Sequence, residues 1–261
     1  MFQELVLFGR VISPYVILAT LGGLLSGVYA CKKAKALGYD DNDMISLLLI
    51  SLIGVLIGGH LLYGITNIKA LSALLADTSV IGSFSDFIAY VKYIFGGSVY
   101  YGGLLGGILA GCIYARAKKL PLAEFTDIIA PAIALFHTFG RIGCFFGGCC
   151  YGIESSLGIT YCYNPIAAAN GVPRLPIQLI EAAFNLGLFF VLNGLLKKRR
   201  LRGRLLYVYL LSYAAARFVF EFFRGDEYRG FIWGISTSQL ISLLILVIVP
   251  IILITKRKKA K

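Results

Sequence analysis

Charged side chains lie inside long apolar stretches of this chain, at spacings that place them on common helix faces. Arg217, Glu221 and Arg224 are separated by four and three residues, so a helix presents all three on one side. Gln178 and Glu181 are three residues apart on another apolar stretch. The planar guanidinium of arginine keeps its charge and matches the oxygens of a phosphate or carboxylate. The pattern therefore predicts a site for an anionic group inside an apolar protein.

Arg141 extends this predicted site from a third apolar stretch. Together with Arg217 and Arg224 it sets three positive charges against Glu221, an excess that an anionic lipid headgroup would neutralise. Glu221 can act as an acid–base group or as the ion-pair partner of a neighbouring arginine. Glu181 has no cation near it in the sequence, so its partner is left open.

The elements that must position these groups are membrane-spanning helices. The chain has 261 residues, of which 58% are apolar and 15% charged, which excludes an ordinary soluble domain and a disordered chain. The net charge is +12, but the basic residues form short clusters between apolar runs, which argues against a nucleic-acid groove. A helix needs about 20 apolar residues to cross a bilayer. Seven such stretches lie near 12–31, 44–63, 98–115, 122–140, 176–196, 205–223 and 232–255.

Orientation follows from the positions of lysine and arginine. Clusters at 32–35, 116–119, 197–204 and 256–261 contain 17 of the 25 basic residues, and seven spans place all four on one face. The positive-inside rule makes that face cytoplasmic. We therefore expect an all-α, polytopic helix bundle in a single membrane domain over 1–261, with the N-terminus outside and the C-terminus cytoplasmic. Residues 84–95 are too short to cross and suit the membrane interface.

One sizeable loop, 142–175, is expected on the outer face, and it contains four of the six cysteines. Cys144, Cys149, Cys150 and Cys162 can form structural disulfides in an oxidising compartment, or supply a reactive thiolate near Arg141. The spacing C-x4-C-C, in a chain with only two histidines, argues against a metal site.

Glycine pairs recur in or beside the spans, and two interpretations remain open for them. They can allow close helix packing, or they can expose backbone N–H groups to a phosphate. Polar residues near the outer ends of spans, such as Tyr15 and His60, can likewise be interfacial anchors or part of the site.

Six stretches carry a resemblance to a known family. They are Y-G-G-L-L-G (101–106), D-I-I-A-P (127–131), G-R-I-G-x-F-x-x-G (140–148), P-x-Q-L-x-E-A (176–182), R-F-V-F-E-F-F-R-G-D (217–226) and I-S-x-x-Q-x-x-S (235–242). Over essentially its whole length the chain resembles the prolipoprotein diacylglyceryl transferases. The resemblance implies a seven-span enzyme of the bacterial plasma (inner) membrane. Such an enzyme takes the diacylglyceryl group of phosphatidylglycerol, releases glycerol phosphate and transfers the group to a lipobox cysteine thiol.

The chain departs from the family pattern at four positions. Tyr101 stands where the family has the histidine of His-Gly-Gly, and Cys144 stands where an asparagine follows G-R-x-G. Cys149 replaces a glutamate, and His60 replaces an arginine. A tyrosine is a poorer base than histidine at neutral pH. The resemblance thus supports the lipid-donor half of the reaction more strongly than the acceptor half.

These observations assign expected roles. The catalytic residues would be Tyr101, Arg141, Arg217, Glu221, Cys144 and Cys149. The substrate-binding residues would be Tyr15, His60, Gly102, Gly103, Gln178, Glu181, Arg224 and Gln239. The partner would be phosphatidylglycerol or a similar anionic phospholipid, with the acceptor undefined, no nucleic acid, no metal and no cofactor. Two alternatives are a thiol–disulfide redox protein using Cys144, Cys149 and Cys150, and a non-catalytic lipid-binding homologue.

Overall fold

A computed structural model describes residues 5–7, 10–69, 72, 82–164, 166–226, 230–232 and 234–259. Residue 233 of the last predicted span and Lys261 of the last basic cluster lie outside the described residues. Eight α-helices are present within them: α1 (Pro14–Ala36), α2 (Asp41–Thr66), α3 (Phe84–Phe95), α4 (Tyr100–Ala117), α5 (Leu122–Gly147), α6 (Ile177–Lys197), α7 (Leu205–Phe220) and α8 (Thr237–Lys259).

The all-α, polytopic membrane class is confirmed. Six of the described helices are long and apolar enough to cross a membrane, and the count is seven if the bent pair α3 and α4 forms one span. Their outward faces carry large apolar side chains such as Leu24, Leu52 and Ile57, each more than half exposed. A surface of this kind is stable against lipid and not against water.

The Cα positions of the described residues divide into two compact units. One comprises residues 1–33 and 126–261, and the other comprises 34–125. Each unit is described by itself.

Helices α2 and α4 form the body of the second unit, and they meet along a seam of glycines. A Cβ added to Gly58 would lie 2.3 Å from the carbonyl oxygen of Gly102, and one added to Gly54 would lie 2.5 Å from that of Gly106. The two backbones therefore approach more closely than any side chain allows. Close packing is the interpretation that the structure provides for these glycines.

Helix α3 is turned by 93° relative to α4, and α4 is long and apolar enough to cross a membrane only together with α3, so the predicted span 98–115 does not stand by itself. His60 of α2 holds the break between the two helices, since its Nδ1 lies 2.7 Å from the carbonyl oxygen of Phe95 and 2.8 Å from that of Gly97.

The first unit is built around α5, α6, α7 and α8, with most of α1 beside them. A Cβ at Gly22 would lie 2.5 Å from the Cβ of Phe139, so α1 packs tightly on α5. Tyr29 of α1 donates a hydrogen bond of 3.0 Å to Asn193 of α6. Helix α7 packs against both α6 and α8.

Asp127 fixes the beginning of α7 from one turn inside α5. Its carboxylate accepts hydrogen bonds from the backbone N–H groups of Gly203, at 2.5 Å, and Leu205, at 2.8 Å. Leu205 is the first residue of α7, and its N–H is one of those that a helix start leaves without partners, whereas Gly203 lies just before the helix. The buried carboxylate thereby ties the α6–α7 turn to α5.

Two 3₁₀ helices (Ala167–Ala169 and Glu221–Phe223) and six short strands are also present among the described residues. The strands are β1 (Leu5–Leu7) with β2 (Arg10–Ile12), β3 (Glu154–Thr160) with β4 (Pro173–Arg174), and β5 (Phe231–Ile232) with β6 (Ile235–Ser236), each pair antiparallel. Helix α5 extends to Gly147, beyond the predicted end at residue 140, so the cysteine-containing loop begins at Gly148 instead of residue 142.

Candidate active site

Glu181 of α6 is the centre of a buried ion-pair network. Its Oε2 lies 2.7 Å from Nε of Arg141 on α5, and its Oε1 lies 2.9 Å from Nη1 of Arg217 on α7. The Glu181 side chain is only 1% exposed. One carboxylate therefore joins arginines from two other helices, and Glu181 finds the partners that its sequence neighbourhood did not offer.

The network continues beyond Arg217. Nη2 of Arg217 lies 2.9 Å from Oε2 of Glu221, and the same oxygen lies 3.6 Å from Nη1 of Arg224. Arg224 in turn makes a two-pronged contact with Asp226, from Nε at 2.9 Å and from Nη2 at 2.5 Å. Residues predicted separately from three apolar stretches thus form one continuous chain of contacts.

Formal charge within this network is balanced. Three arginines (Arg141, Arg217 and Arg224) face three carboxylates (Glu181, Glu221 and Asp226). The sequence predicted an excess of positive charge because the partners Glu181 and Asp226 were not recognised. Buried ion pairs of this kind contribute little to stability on balance, because desolvation offsets their attraction, so their presence points to a role other than stability.

Further polar groups surround the arginines. Ser238 accepts a hydrogen bond of 3.2 Å from Nη2 of Arg217, and Tyr213 contacts Nη2 of Arg141 at 3.5 Å. Gln239, predicted to bind substrate, caps α8 with its side-chain oxygen, since Oε1 accepts from the backbone N–H of Ser236 at 3.1 Å. The hydroxyl oxygen of Ser236 in turn accepts a hydrogen bond of 3.2 Å from the backbone N–H of Gln239.

Four predicted site residues belong to the second unit. Gly102 and Gly103 pack against α2, and His60 holds the α3–α4 break. Tyr101, at the beginning of α4, is 44% exposed and stacks edge-on against Tyr100 with ring centroids 5.6 Å apart.

The cysteine segment turns sharply at the end of α5. The N–H of Cys149 donates to the carbonyl oxygen of Cys144 at 3.2 Å, and the N–H of Gly148 donates to that of Phe145 at 3.3 Å. This is the Schellman pattern of helix ends, and it requires the positive φ of 73° found at Gly148. The turn brings Cys149 and Cys150 back to Cys144, and the three sulfur atoms lie within 4.8 Å of one another.

All six cysteines lie within the described residues, and none of them forms a disulfide there. Cys162 is exposed and stands outside the group of three. Tyr15 lies beside the group, because a Cβ at Gly143 would lie 3.1 Å from its ring.

Amide side chains and backbone pairing hold the turn in place. Gln178, at the start of α6, donates to the carbonyl oxygen of Cys149 at 2.8 Å and contacts the hydroxyl of Tyr161 at 3.2 Å. Asn164 donates to the carbonyl oxygen of Gly148 at 2.6 Å. Gly152 forms a β-bridge with Arg224, so the cysteine segment and the arginine segment are joined through their backbones.

Electrostatics distinguish the groups around the cysteine turn. The pKa of Cys150 is held below its ordinary value by hydrogen bonds from Cys144 and Cys149, and also by the charges of Arg224 and Arg141. The pKa of Cys149 is raised by the same thiol hydrogen bonds and by burial. Burial would lower the pKa of Arg224, but its contact with Asp226 outweighs burial and the pKa is raised.

Sequence reasoning missed two residues of the site: Asp226 and Asn164. The spacing R-G-D at 224–226 was a usable signal for Asp226. An arginine and an aspartate two residues apart in an extended segment can form a two-pronged contact. Asn164 reaches its partner Gly148 through tertiary packing, and no local spacing marks it.

Comparisons with known proteins agree with the resemblance. A sequence model of the family described as prolipoprotein diacylglyceryl transferase matches residues 4–255. A phosphatidylglycerol–prolipoprotein diacylglyceryl transferase of Clostridium tetani is 33% identical over 244 residues, which cover 93% of this chain and 92% of the relative. The phosphatidylglycerol–prolipoprotein diacylglyceryl transferase 2 of Clostridium perfringens is 35% identical over 245 residues, which cover 92% of this chain and 90% of the relative. These names do not support the thiol–disulfide alternative.

Proposed function

Since the chain belongs to the prolipoprotein diacylglyceryl transferase family, we propose that it transfers the diacylglyceryl group of phosphatidylglycerol to an acceptor thiol and releases glycerol phosphate. It is a multi-pass membrane protein. We further propose that it resides in the bacterial plasma membrane with its N-terminus outside, which places its four basic clusters in the cytoplasm.

The observation that carries this proposal is the sharing of Glu181 by Arg141 and Arg217. The carboxylate pairs with both guanidinium groups, at 2.7 and 2.9 Å, and the two arginines come from two different helices. A guanidinium has five N–H donors, more than these contacts use, so each arginine retains donors for a phosphate oxygen. Glu181 is therefore a positioning residue, and Arg141 and Arg217 are the groups that would touch the headgroup.

Charge development explains why arginines would accelerate the reaction. The acceptor thiol gives up its proton to solvent, and its sulfur forms a bond to the terminal glyceryl carbon while the bond from that carbon to the phosphate oxygen breaks. The electron pair leaves with the oxygen, and the departing phosphate goes from one negative charge to two. Preorganised guanidinium groups in a water-poor site bind the more charged species more strongly, which lowers the barrier.

Purified protein and labelled phosphatidylglycerol test this assignment. We expect Arg141→Ala and Arg217→Ala each to slow transfer to a cysteine peptide by at least about 100-fold, as removal of a charge-stabilising donor does elsewhere. Arg200→Ala is the matched control, because Arg200 is exposed in the turn between α6 and α7 and should leave transfer unchanged.

Full activity in both arginine variants would exclude the assignment. Retention of phosphatidylglycerol by the wild-type protein with no product would instead favour the non-catalytic homologue.

A further inference from the structure

Cys144, Cys149 and Cys150 form a convergent group of ligand atoms. Their sulfur atoms lie within 4.8 Å of one another, and no second group of three or more histidine, cysteine or acidic ligands converges in this way among the described residues. All three side chains are half-buried, so ions from solvent can reach them while the protein still encloses them.

The backbone prepares this geometry before any ligand arrives. The Schellman turn at Gly148 reverses the chain, and its hydrogen bond from Cys149 to Cys144 fixes the separation of the first two cysteines. Buried amides hold two successive carbonyl groups, with Asn164 on Gly148 at 2.6 Å and Gln178 on Cys149 at 2.8 Å. A site whose ligands are already held in place binds a metal without first ordering a loop.

We propose that the thiolates of Cys144, Cys149 and Cys150 bind one thiophilic metal ion, zinc, at the outer end of α5. Zinc–sulfur bonds of about 2.3 Å in tetrahedral geometry separate the sulfurs by about 3.8 Å, so shifts of about 1 Å or less would close the group on the ion. Each ligand thiol that still carries its proton releases it to solvent as the metal binds.

The surrounding charges suit a complex of this kind. Three thiolates and one Zn²⁺ carry a net charge of −1, and the guanidinium groups of Arg224 and Arg141 lie close enough to interact with the sulfur of Cys150. The sequence argued against a metal because it offered no set of four soft ligands. A three-ligand site needs only the residues that the turn brings together.

Three protein ligands leave the fourth zinc position open, which is the arrangement of catalytic rather than structural zinc sites. This part of the inference rests on the proposed function: the open position would take the acceptor thiol. A metal-bound thiol loses its proton to solvent at neutral pH, and the thiolate is the nucleophile. Its sulfur then bonds to the glyceryl carbon as the carbon–oxygen bond to the phosphate breaks. Arg141 lies one helical turn before Cys144, so donor and acceptor would meet at the end of α5.

Metal binding is tested first, without reference to activity. The full chain, purified in detergent from zinc-supplemented cells, should contain about one zinc per protein by elemental mass spectrometry. Titration of metal-free protein with Cd²⁺ should give the ultraviolet charge-transfer absorption of three cadmium–thiolate bonds. Cys149→Ser and Cys150→Ser should weaken Cd²⁺ binding at least 10-fold, as loss of one of three ligands requires.

Cys162→Ser is the matched control, because this cysteine lies in the same loop but outside the group of three. It should bind Cd²⁺ like the wild type. Substoichiometric zinc together with no charge-transfer band in the wild-type protein would overturn the proposal. A disulfide between any two of the three cysteines in protein purified under reducing conditions would overturn it as well.

The acceptor role has its own readout. A short peptide with a free cysteine should raise the cadmium–thiolate band by about one third, from three sulfur ligands to four, whereas its serine counterpart should not. Removing zinc should slow transfer to the cysteine peptide at least 10-fold, and adding zinc back should restore it. An unchanged band and an unchanged rate would refute the acceptor role.

The two proposals can fail separately. Arg217→Ala should abolish transfer while zinc content remains at one per chain. Zinc-loaded wild-type protein that binds the cysteine peptide but transfers nothing would refute the proposed function and leave the metal site standing.

Discussion

Glutamine in place of Glu181 keeps the shape of the side chain and removes its charge. In the structure this carboxylate lies 2.7 Å from Arg141 and 2.9 Å from Arg217 and is 1% exposed. At an effective dielectric constant of about 20, a pair of unit charges about 4 Å apart is worth about 4 kcal/mol. Neutralising one partner of a buried pair leaves the other uncompensated and typically costs about 3–5 kcal/mol. We therefore expect Glu181→Gln to lower the free energy of unfolding by about 3–5 kcal/mol.

The measurement is a denaturant titration of purified protein in detergent micelles, followed by tyrosine fluorescence and circular dichroism. Glu154→Gln is the matched control, because Glu154 is 68% exposed and lies 3.6 Å from Arg174. The same chemical change at this exposed pair should cost no more than about 1 kcal/mol. Equal losses in the two variants would refute the reasoning, because the buried network would then hold no more electrostatic energy than a surface pair.

Three further changes can be measured in the same titration. Gly58→Ala should destabilise the protein by about 1–3 kcal/mol because the added methyl group meets the backbone of α4. Gly23→Ala, whose methyl group meets nothing within 4 Å, should be neutral or stabilise α1 by up to about 1 kcal/mol. A larger loss of stability in Gly23→Ala than in Gly58→Ala would contradict the glycine seam. Gly148→Ala should cost about 2–3 kcal/mol, because it places a side chain at a positive φ and against the buried amide of Asn164. Gly171→Ala should cost about 1 kcal/mol, because its φ is also positive but the space around it is open. Equal losses of stability would show that the contact with Asn164 adds nothing. Asp127→Asn should cost about 1–2 kcal/mol by weakening the cap of α7, and hydrogen exchange should rise at the start of that helix; unchanged exchange there would argue against the cap.

Hydropathy and helical spacing predict much of this protein, because both are local properties. The apolar stretches identify the long helices, and the spacing of four places Arg217 one turn before Glu221. Arg224 reaches the same carboxylate from beyond the end of α7, after the 3₁₀ turn Glu221–Phe223. The end of α5 is less predictable, since the helix continues through Gly140 and Gly143 and ends only at Gly147, just before the positive φ of Gly148.

Ion pairs between side chains on different helices cannot be predicted from hydropathy and helical spacing. Glu181 meets Arg141 and Arg217 across 40 and 36 positions of the chain, and nothing in the local sequence of α6 indicates either contact. The sequence predicted an excess of positive charge because these contacts between helices could not be recognised in it. Packing, rather than composition, decides which carboxylates balance the arginines.

The cysteine group lies between these two cases. The spacing of Cys144 and Cys149 spans a helix end, and a glycine immediately before the second cysteine is the sequence signature of a Schellman turn. Read together, these two features predict that the thiols meet. The spacing C-x4-C-C alone gives only the number of possible ligands. It does not show that the chain reverses direction between Cys144 and Cys149.

The β-bridge between Gly152 and Arg224 has a consequence for how this protein can vary. The main chain of the arginine segment is held by main chain, through bonds from Ile153 to Phe223 at 3.0 Å and from Gly225 to Tyr151 at 2.9 Å. Side-chain replacements leave such bonds intact. Libraries that randomise the exposed positions of β3 while keeping Gly152 and Gly225 should therefore yield many variants with new outer surfaces and an undisturbed Arg224.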